Sequence, residues 1–588
     1  GDCGSLLMVV DKRFEGKIIG LHRAGNTTTS LSAVVTREWI EDMISSSTCV
    51  NTMQQESTTE VVKSFNLHES ASFFEAGRIC RKTGLLWVGR VARPIHHPTT
   101  TRIHRTGITI PGYDGYEPAI MSTTDPRSEG FDPLIDGLKR YGESYLTEPL
   151  DRIEIAEAFA EVGWDLVTML KNHGETVRAL SKTEAINTPS VFEYPNASPI
   201  DRSGSAGFPH IWDTGMGTQK GDHLYQNDKT LRWQFKPTSM HISNKINQIV
   251  MDAKKNVEHV HVTVAYVKDE SLKKKKTREV KKSRLFFSCG FEYLIAFRMY
   301  NLAALTRIMS HFHQSPIKVG ISSSFADWHT LGTQMEKVSQ YGFCSDMQNF
   351  DSSIPSEFLE ECGNVMNMIY THCSARGEDV EEGNRVRNVI NSAMVGAHVA
   401  ANRDLYKLTQ AQVSGNPATA IWNSMCVWAL YYLVWKRLAK KFAPEKQQYK
   451  HFKKNVALAI YGDDNICTVD PSNQWFNFNS FKSEAEKFGF SITDAAKTGG
   501  DVPDFQHISE MEFLKRKFTK HQGLTMGPLA LSSIAKSIQW IRDTAYTIKP
   551  EHTEGKWPVA TNRETINQSI DNMWCELALH GEKIYHEW

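Results

Sequence analysis

The chain has 588 residues and a formal net charge of zero, because 67 acidic side chains balance 67 basic ones. This neutrality argues against a protein that coats nucleic acid, but it permits an enzyme with one local basic channel. Ten scattered cysteines without a CxxC pair argue against a secreted disulfide scaffold and favour a reducing compartment.

The first 55 residues differ from those that follow. Two β-type runs, SLLMVV (5–10) and KIIGLH (17–22), flank a turn-like segment and predict a hairpin. A polar tract at 45–60 predicts a linker. Because the chain begins with Gly1 rather than Met, we expect it to be a piece cut from a longer precursor.

The middle of the chain contains a strongly basic run, VKDESLKKKKTREVKKSR (267–284), after a helical pattern at 151–170. Lys268, Lys282 and Arg284 lie beside apolar residues that would anchor them, which makes them candidate phosphate ligands. The consecutive lysines at 273–276 cannot all face one ligand, and they predict a solvated surface.

Polar residues recur at the ends of apolar segments from about residue 340 onwards. GFCSDM predicts a strand with Asp346 at its end and Asp351 one loop further on. SGNPATAIWNS (414–424) predicts a loop that runs into a helix and carries Ser414, Thr419 and Asn423. Local capping is the alternative reading for Asp351 and for these three. The apolar window at 420–435 is short and predicts a buried core helix rather than a membrane span.

Two adjacent carboxylates, Asp463 and Asp464, lie between β-prone runs in LAIYGDDNICTV (458–469). The pattern predicts a hairpin that turns at Gly462. A solvated turn is one reading. Together with Asp346, however, the pair suits a site for two Mg²⁺ ions about 4 Å apart, which would offset the repulsion. Segments with strand-like and helix-like sequence patterns alternate in this region, and the chain becomes mostly helical after residue 526. This organisation indicates an α+β fold.

The ordered set KDE…KSR, DMQNFD, SGNPATAIWNS, YGDDN, GFSITDAAKT and FLKRKF closely resembles the RNA-dependent RNA polymerases of picorna-like positive-strand RNA viruses. The likeness spans roughly residues 130–520, and GSAGFPH (204–210) resembles the template-entry motif of that family. It implies a right hand in which 56–320 are mainly fingers and 321–525 are mainly palm, with an inserted fingers segment. The palm would be an antiparallel sheet with helices, and 526–588 would form a mostly helical thumb.

The resemblance also implies roles for individual residues. Asp346 and Asp463 would hold Mg²⁺, with Mn²⁺ as a possible substitute, and Asp464 would be secondary. Residues implied to bind the nucleotide are Asp351, Ser414, Thr419 and Asn423 at the ribose 2′-hydroxyl and Lys268, Lys282 and Arg284 at the triphosphate. Lys497 would protonate the leaving pyrophosphate, although a surface lysine is an equal reading. RNA contacts are implied for Ser205, Gly207, Lys515 and Arg516, with Phe513 and Phe518 in the core.

The N-terminal segment carries a second resemblance. GDCGSLL (1–7) resembles the nucleophile loop of the chymotrypsin-like viral cysteine protease, a β-barrel, with Cys3 as nucleophile. His22 resembles the residue that recognises a Gln at the cleavage site. The family's catalytic His lies upstream of Gly1, so residues 1–55 would be an inactive C-terminal fragment plus linker. Gln54 or Gln55 is a candidate processing site, which would start the mature polymerase at about residue 56.

The predicted function is template-directed RNA synthesis from NTPs for viral genome replication. Expected partners are an RNA template and primer, NTPs, a genome-linked protein primer (VPg) and other viral replication proteins. The expected location is the host cytoplasm, at membrane-associated replication complexes. Three alternatives stay open: a reverse transcriptase, against which Asp351 and Asn423 weigh; a polyprotein-processing cysteine protease that uses Cys3; and a non-enzymatic RNA-binding protein, which would leave the carboxylates unexplained.

Overall fold

A computed structural model of the chain describes residues 6–8, 18–25, 30–34, 60–62 and most of 70–588. The gaps in the last range are 144–145, 147–148, 191, 214–216, 324, 495–501 and 543–562. Cys3, Gln54, Gln55, Lys497 and most of the predicted linker lie outside the described residues. The chain divides into two compact units, Gly1–Thr59 and Glu60–Trp588.

The first unit contains an antiparallel sheet of β1 (Leu6–Met8), β2 (Ile18–Gly25) and β3 (Ser30–Val34), in that order. Leu6 pairs with Leu21, so the predicted hairpin is confirmed. The backbone of His22 lies in β2, opposite Ser32. The interpretation of this sheet as a protease fragment stays a prediction.

The described strands of the second unit are short. Before residue 300 they are β4 (Glu60–Val62), β5 (Ala71–Ile79), β6 (Leu86–Val91), β7 (Ile103–Arg105), β8 (Tyr116–Pro118), β9 (Leu224–Gln226), β10 (Trp233–Phe235), β11 (Val257–His259), β12 (Val262–Val267), β13 (Ser271–Lys273) and β14 (Leu285–Ser288). After it they are β15 (Tyr341–Gln348), β16 (His398–Ala401), β17 (Asp404–Lys407), β18 (Val456–Tyr461), β19 (Asp464–Val469), β20 (Ser491–Asp494), β21 (Gln506–His507), β22 (Thr519–His521), β23 (Leu524–Met526) and β24 (Trp540–Arg542).

The described α-helices supply most of the core. In the first half of the chain they are α1 (Pro133–Gly142), α2 (Arg152–Asn172), α3 (Lys182–Asn187), α4 (Met240–Ala253), α5 (Lys274–Arg278) and α6 (Phe291–Ser310). In the second half they are α7 (Phe325–Val338), α8 (Phe350–Ser353), α9 (Ser356–Cys373), α10 (Val380–Ser392), α11 (Thr419–Phe442), α12 (Tyr449–Asn455), α13 (Phe478–Ala485), α14 (Leu531–Gln539), α15 (Arg563–Leu577) and α16 (Glu582–Glu587).

The sheet that carries the carboxylates is antiparallel and runs β18-β19-β15-β20, with β21 beside the start of β15. Its strands present apolar side chains to a core of helices, as the sequence of LAI and ICTV predicts. Asp346 does not end its strand, which corrects the prediction. β15 continues to Gln348 because β20 adds to its other edge and pairs Asp346 with Thr493.

Helix α11 is the buried core helix that the apolar window predicts. Trp422, Trp428 and Trp435 are at most 2% exposed, and the helix packs against α2, α9 and α13. Helix α2 begins after Asp151, whose carboxylate accepts hydrogen bonds from two backbone N–H groups of the first turn. Within the described part of the chain, every helix is too short or too polar to span a lipid bilayer.

A second sheet is mixed and runs β14-β12-β16-β17-β6-β5, which brings the strands on either side of the basic run next to residues 398–407. Strand β7 pairs with β24, so residues 103–105 are joined to a segment near the C-terminus. The combination of sheets and packed helices confirms the α+β class. The predicted boundaries at residues 55, 320 and 525 stay predictions.

Candidate active site

Three carboxylates lie where the central strands of the sheet meet. Ser345 of β15 pairs with Asn465 of β19, and Asp346 and Asp464 are the next residues of the two strands beyond this last pair of the ladder. Gly462 and Asp463 form the two-residue turn between β18 and β19, and Gly462 has the positive φ of +66° that such a tight turn requires. Asp463 is exposed in this turn, whereas Asp346 and Asp464 are half-buried.

The side chain of Asn465 stabilises this turn through hydrogen bonds. Its fully buried amide Oδ1 accepts hydrogen bonds from Ser345 Oγ at 2.8 Å and from the Tyr431 hydroxyl at 2.6 Å. Its Nδ2 donates to the carbonyl of Asp463 at 2.8 Å. Because each of these polar groups has a hydrogen-bond partner inside the protein, the network restrains the backbone that carries Asp463.

Ser424 supports the same turn from helix α11. Its buried Oγ accepts a hydrogen bond of 2.9 Å from the Gly462 N–H and donates one to the carbonyl of Ala420. Sequence reasoning missed the roles of Ser424 and Asn465. The available signal was a polar residue at a core position of an otherwise apolar helix or strand, which needs a hydrogen-bond partner when it is buried.

Burial raises the pKa of Asp464 to about 7. The neighbouring Lys515 and the backbone N–H of Leu514, which donates to Asp464 Oδ2 at 3.0 Å, lower the pKa of Asp464, whereas Asp463 raises it. Carboxylate oxygens are hard donors that divalent cations favour, and a bound cation would supply the positive charge that keeps these groups ionised.

Asp351 and Asn423 meet beside the carboxylates. Asn423 Nδ2 donates to Asp351 Oδ1 at 2.7 Å, while the buried Asn423 Oδ1 has no hydrogen-bond partner among the described residues. Burial raises the pKa of Asp351; Asp463 also raises it, whereas Asn423, Arg284 and Lys268 lower it. Asp351 lies in helix α8 rather than in the predicted loop, because Asn349 with φ of 51° redirects the chain after β15.

Ser414 and Thr419 are committed to local backbone contacts. Ser414 Oγ accepts a hydrogen bond of 3.3 Å from the N–H of Phe287. Thr419, the first residue of α11, donates from Oγ1 to the carbonyl of Asn416 at 2.6 Å. These contacts match the local reading of the two hydroxyls, which still have acceptor lone pairs for a ligand.

Two of the three predicted basic residues interact electrostatically with Asp351. The third forms a hydrogen bond to a residue close to Asp351 in the sequence. Lys268 and Arg284 are joined by a backbone hydrogen bond of 2.8 Å, and both lower the pKa of Asp351. Lys282 Nζ donates to Asn349 Oδ1 at 3.1 Å. The lysines at 273–276 are exposed, as predicted, and most of them belong to the short helix α5.

The GSAGFPH segment, which resembles a template-entry motif, is built on a close backbone contact. Gly207 is buried with φ of +71°, and a Cβ at this position would lie 2.1 Å from the carbonyl oxygen of Cys289. Ser205 is half-buried, and its Oγ accepts from the Gly207 N–H at 3.1 Å. Gly207 packs against protein backbone, and its contact with RNA stays a prediction.

The FLKRKF segment forms a tight turn. Leu514 and Lys515 have φ of 54° and 61°, and Phe513 and Arg516 exchange backbone hydrogen bonds of 2.9 Å. Phe513 and Phe518 are buried in the core, as predicted.

The two basic residues of this turn point to different environments. Lys515 is exposed, pairs with Glu512 at 2.8 Å and interacts electrostatically with Asp464 and Asp346. Arg516 is only 8% exposed and forms two short hydrogen bonds to Glu576 of helix α15. The structure therefore contradicts the prediction that Arg516 faces RNA.

Comparison with known proteins decides the family. The family model described as "Viral RNA-dependent RNA polymerase" matches residues 104–587, most of the chain. The chain belongs to the viral RNA-dependent RNA polymerase family. This membership confirms the resemblance of the sequence motifs to those of viral RNA-dependent RNA polymerases. Among the alternatives, cysteine protease activity is not favoured.

The polymerase is similar to parts of several viral polyproteins. It is 25% identical to the "Replicase polyprotein" of Cricket paralysis virus over 609 aligned residues, which cover 100% of the chain and 32% of the relative. It is 27% identical to the "RNA1 polyprotein" of Grapevine fanleaf virus, over 84% of the chain and 20% of the relative. The chain thus spans a third or less of the length of these relatives.

The fold of the polymerase is similar to that of a solved structure, "Sicinivirus 3Dpol RNA dependent RNA polymerase". The TM-score is 0.63 at 17% identity, and the match covers 84% of this chain and 91% of that one. At this identity the likeness concerns the fold, and it agrees with the predicted right hand.

Proposed function

We propose that this chain synthesises RNA from NTPs on an RNA template, by nucleotidyl transfer with release of pyrophosphate, for replication of a viral genome. The observation that carries the proposal is the placement of Asp346, Asp463 and Asp464 at neighbouring positions of one sheet, on segments far apart in the chain. Membership of the viral polymerase family supports it.

In this proposal Asp346 and Asp463 hold Mg²⁺, for which Mn²⁺ can substitute, and Asp464 is a secondary ligand. The bound cations would neutralise charge on the attacking and leaving oxygens. The protein's part is to hold the carboxylates still, which Asn465 and Ser424 do through the backbone of the Gly462–Asp463 turn.

Asn423 and Asp351 would select NTPs over dNTPs. The buried Oδ1 of Asn423, which lacks a partner among the residues described, is an acceptor for a ribose 2′-hydroxyl. A deoxy sugar would leave it unsatisfied, at a cost of about 1 kcal/mol or more. Ser414 and Thr419 stay part of the proposed nucleotide site at its edge.

Lys268, Lys282 and Arg284 would hold the triphosphate, because their charges lie near Asp351 and would oppose the charge on the phosphoryl oxygens. Lys497, outside the described residues, would donate a proton to the leaving pyrophosphate. A lysine near its ordinary pKa is a competent acid at neutral pH.

RNA would be bound mainly through its phosphates, in a salt-sensitive and sequence-tolerant way. Lys515, Ser205 and Gly207 stay in the proposed RNA site, whereas Arg516 acts from inside the protein. Residues 1–55, with Cys3 and His22, would be an inactive protease fragment released at Gln54 or Gln55. Mass spectrometry of material processed by the complete protease would show cleavage there, and an uncut 54–57 junction would exclude it.

The likeness to replicase polyproteins supports a viral setting for this activity. We propose that the chain works in the host cytoplasm at membrane-associated replication complexes. Other viral replication proteins, and a genome-linked protein primer, would act with it there.

Primer extension on a defined RNA template tests the activity. We expect template-dependent incorporation of NTPs that requires Mg²⁺ and is lost in Asp463→Asn. Equal use of dNTPs would favour a reverse transcriptase. Equal incorporation by the parent and Asp463→Asn would overturn the metal assignment, and cleavage of a Gln-containing peptide would restore the protease alternative.

A further inference from the structure

A group of histidines and carboxylates lies directly after the template-entry motif, away from the catalytic carboxylates. His210 begins a short 3₁₀ turn, Asp213 follows that turn, and His241 lies in the first turn of helix α4. One ligand atom of each residue lies within 4.8 Å of the ligand atoms of the other two. The proposed polymerase chemistry uses none of these side chains.

The distances inside this group suit a small tetrahedral ion. Asp213 Oδ2 lies 3.1 Å from His210 Nδ1 and 3.4 Å from His241 Nε2. Ligand atoms at about 2.0–2.1 Å from a tetrahedral zinc ion are about 3.3 Å from one another. The two separations bracket that value.

A buried carboxylate outside the group forms a hydrogen bond with one of its histidines. Glu292, in the first turn of helix α6, accepts a hydrogen bond of 2.8 Å from His210 Nε2. A metal-bound histidine usually donates its other ring N–H to a carboxylate in this way, which fixes its tautomer and leaves the opposite nitrogen free for the metal. Asp213 and Glu292 together carry the two negative charges that balance a divalent cation.

His223 is an independent sign of a missing partner. It is fully buried, its ring centroid lies 5.9 Å from that of His210, and its Nδ1 contacts Ser239 Oγ at 3.1 Å. Its buried Nε2 has no hydrogen-bond partner in the described part of the chain. His223 lies outside the set of three whose ligand atoms are within 4.8 Å of one another, so its unpaired nitrogen marks a polar space beside the group rather than a fourth ligand.

We propose that His210, Asp213 and His241 bind a Zn²⁺ ion, with Glu292 orienting His210 and a water molecule completing the coordination. Two imidazole nitrogens with one carboxylate oxygen favour zinc over the hard cation Mg²⁺, which prefers oxygen donors. The ion would tie the loop after GSAGFPH to the starts of α4 and α6, and so would keep the template-entry motif in place.

Metal content of the full chain tests the proposal. The protein is prepared without a polyhistidine tag and dialysed with Zn²⁺ in an excess of Mg²⁺, so that the catalytic carboxylates hold Mg²⁺. We expect one Zn²⁺ per chain after gel filtration, and visible absorption typical of a four-coordinate ion when Co²⁺ replaces it. We expect Zn²⁺ to bind at least about tenfold more weakly to His241→Ala and to Asp213→Asn.

His586→Ala is the matched control, because His586 is an exposed helix histidine far along the chain that contacts Glu582 and the ring of Tyr585. It should bind Zn²⁺ as the parent does. His241 is 45% exposed at its side chain, so its removal should leave the fold intact. A parent protein that retains no Zn²⁺, or full binding by both site variants, would mean that the group is an ion pair only, and the proposal would be overturned. The readout does not depend on polymerase activity.

Discussion

Asn423 in helix α11 donates a hydrogen bond of 2.7 Å to Asp351 in the short helix after β15. This contact places a buried amide oxygen, which has no hydrogen-bond partner among the residues that the structure describes, close to Asp463, since Asp351 also interacts electrostatically with Asp463.

Replacing Asn423 with Ala should weaken sugar discrimination. The variant loses the acceptor for the 2′-hydroxyl, so we expect the preference for NTPs over dNTPs to fall about tenfold or more. Single-nucleotide primer extension with matched NTP and dNTP pairs measures the ratio. Asn364→Ala, in helix α9, is the control, because its amide pairs with Glu361 and should leave the ratio unchanged. An unaltered ratio in Asn423→Ala would contradict the assignment.

Under the proposed mechanism, Asp463 and Asp464 should differ in their importance for nucleotide incorporation. Asp463→Asn should reduce incorporation about a thousandfold, because it removes a charged ligand from the exposed turn. Asp464→Asn should cost less, about a hundredfold, because the amide can still accept from the Leu514 N–H. Single-turnover incorporation at saturating Mg²⁺ gives both values, with Asp571→Asn on the exposed face of α15 as control. A larger loss in Asp464→Asn than in Asp463→Asn would reverse the assignment of the secondary ligand.

Ser424→Ala should disturb the Gly462–Asp463 turn, although Ser424 belongs to helix α11 and not to the turn itself. The substitution leaves the buried Gly462 N–H without its acceptor, which costs about 1–3 kcal/mol of unfolding free energy. Urea unfolding measures that loss. We also expect kcat to fall while the KM for NTP changes little, because the turn carries the metal ligand. Ser569→Ala controls for the lost bond to a helix carbonyl, since Ser569 makes the same kind of bond in α15. Unchanged stability and kcat would rule out this role.

Arg516→Ala should destabilise the protein but leave the contacts between the protein and RNA phosphates unchanged. Breaking the buried pair with Glu576 costs about 3–5 kcal/mol, because the remaining charge is unpaired. The double variant Arg516→Ala with Glu576→Ala should recover part of that loss. The salt dependence of RNA affinity should match the parent, whereas loss of a phosphate contact would reduce the slope by about one. A reduced slope, with stability unchanged, would return Arg516 to the RNA surface.

Several structural elements of this protein are determined by the local sequence of short segments. The Asp463–Asp464 hairpin is encoded by two alternating apolar runs and a glycine that accepts positive φ, so its strands need little help from distant residues. Helix α11 follows from its long apolar run in the same way. The motif order was enough to indicate the family, because the motif residues keep their order along the chain.

Other features depended on which distant segments pack together. Arg516 is in a basic run, and only the approach of Glu576 from helix α15 pairs it with a carboxylate inside the protein. Asn465 and Ser424 are ordinary polar residues until Ser345, Tyr431 and Gly462 surround them. Local propensities and alternation act between neighbours in sequence, whereas the partner of a buried polar group is determined by the path of the whole chain. The sequence by itself therefore determined the hairpin of Asp463 and Asp464, the buried helix α11 and the family, and the tertiary structure alone decided what holds the carboxylates in place.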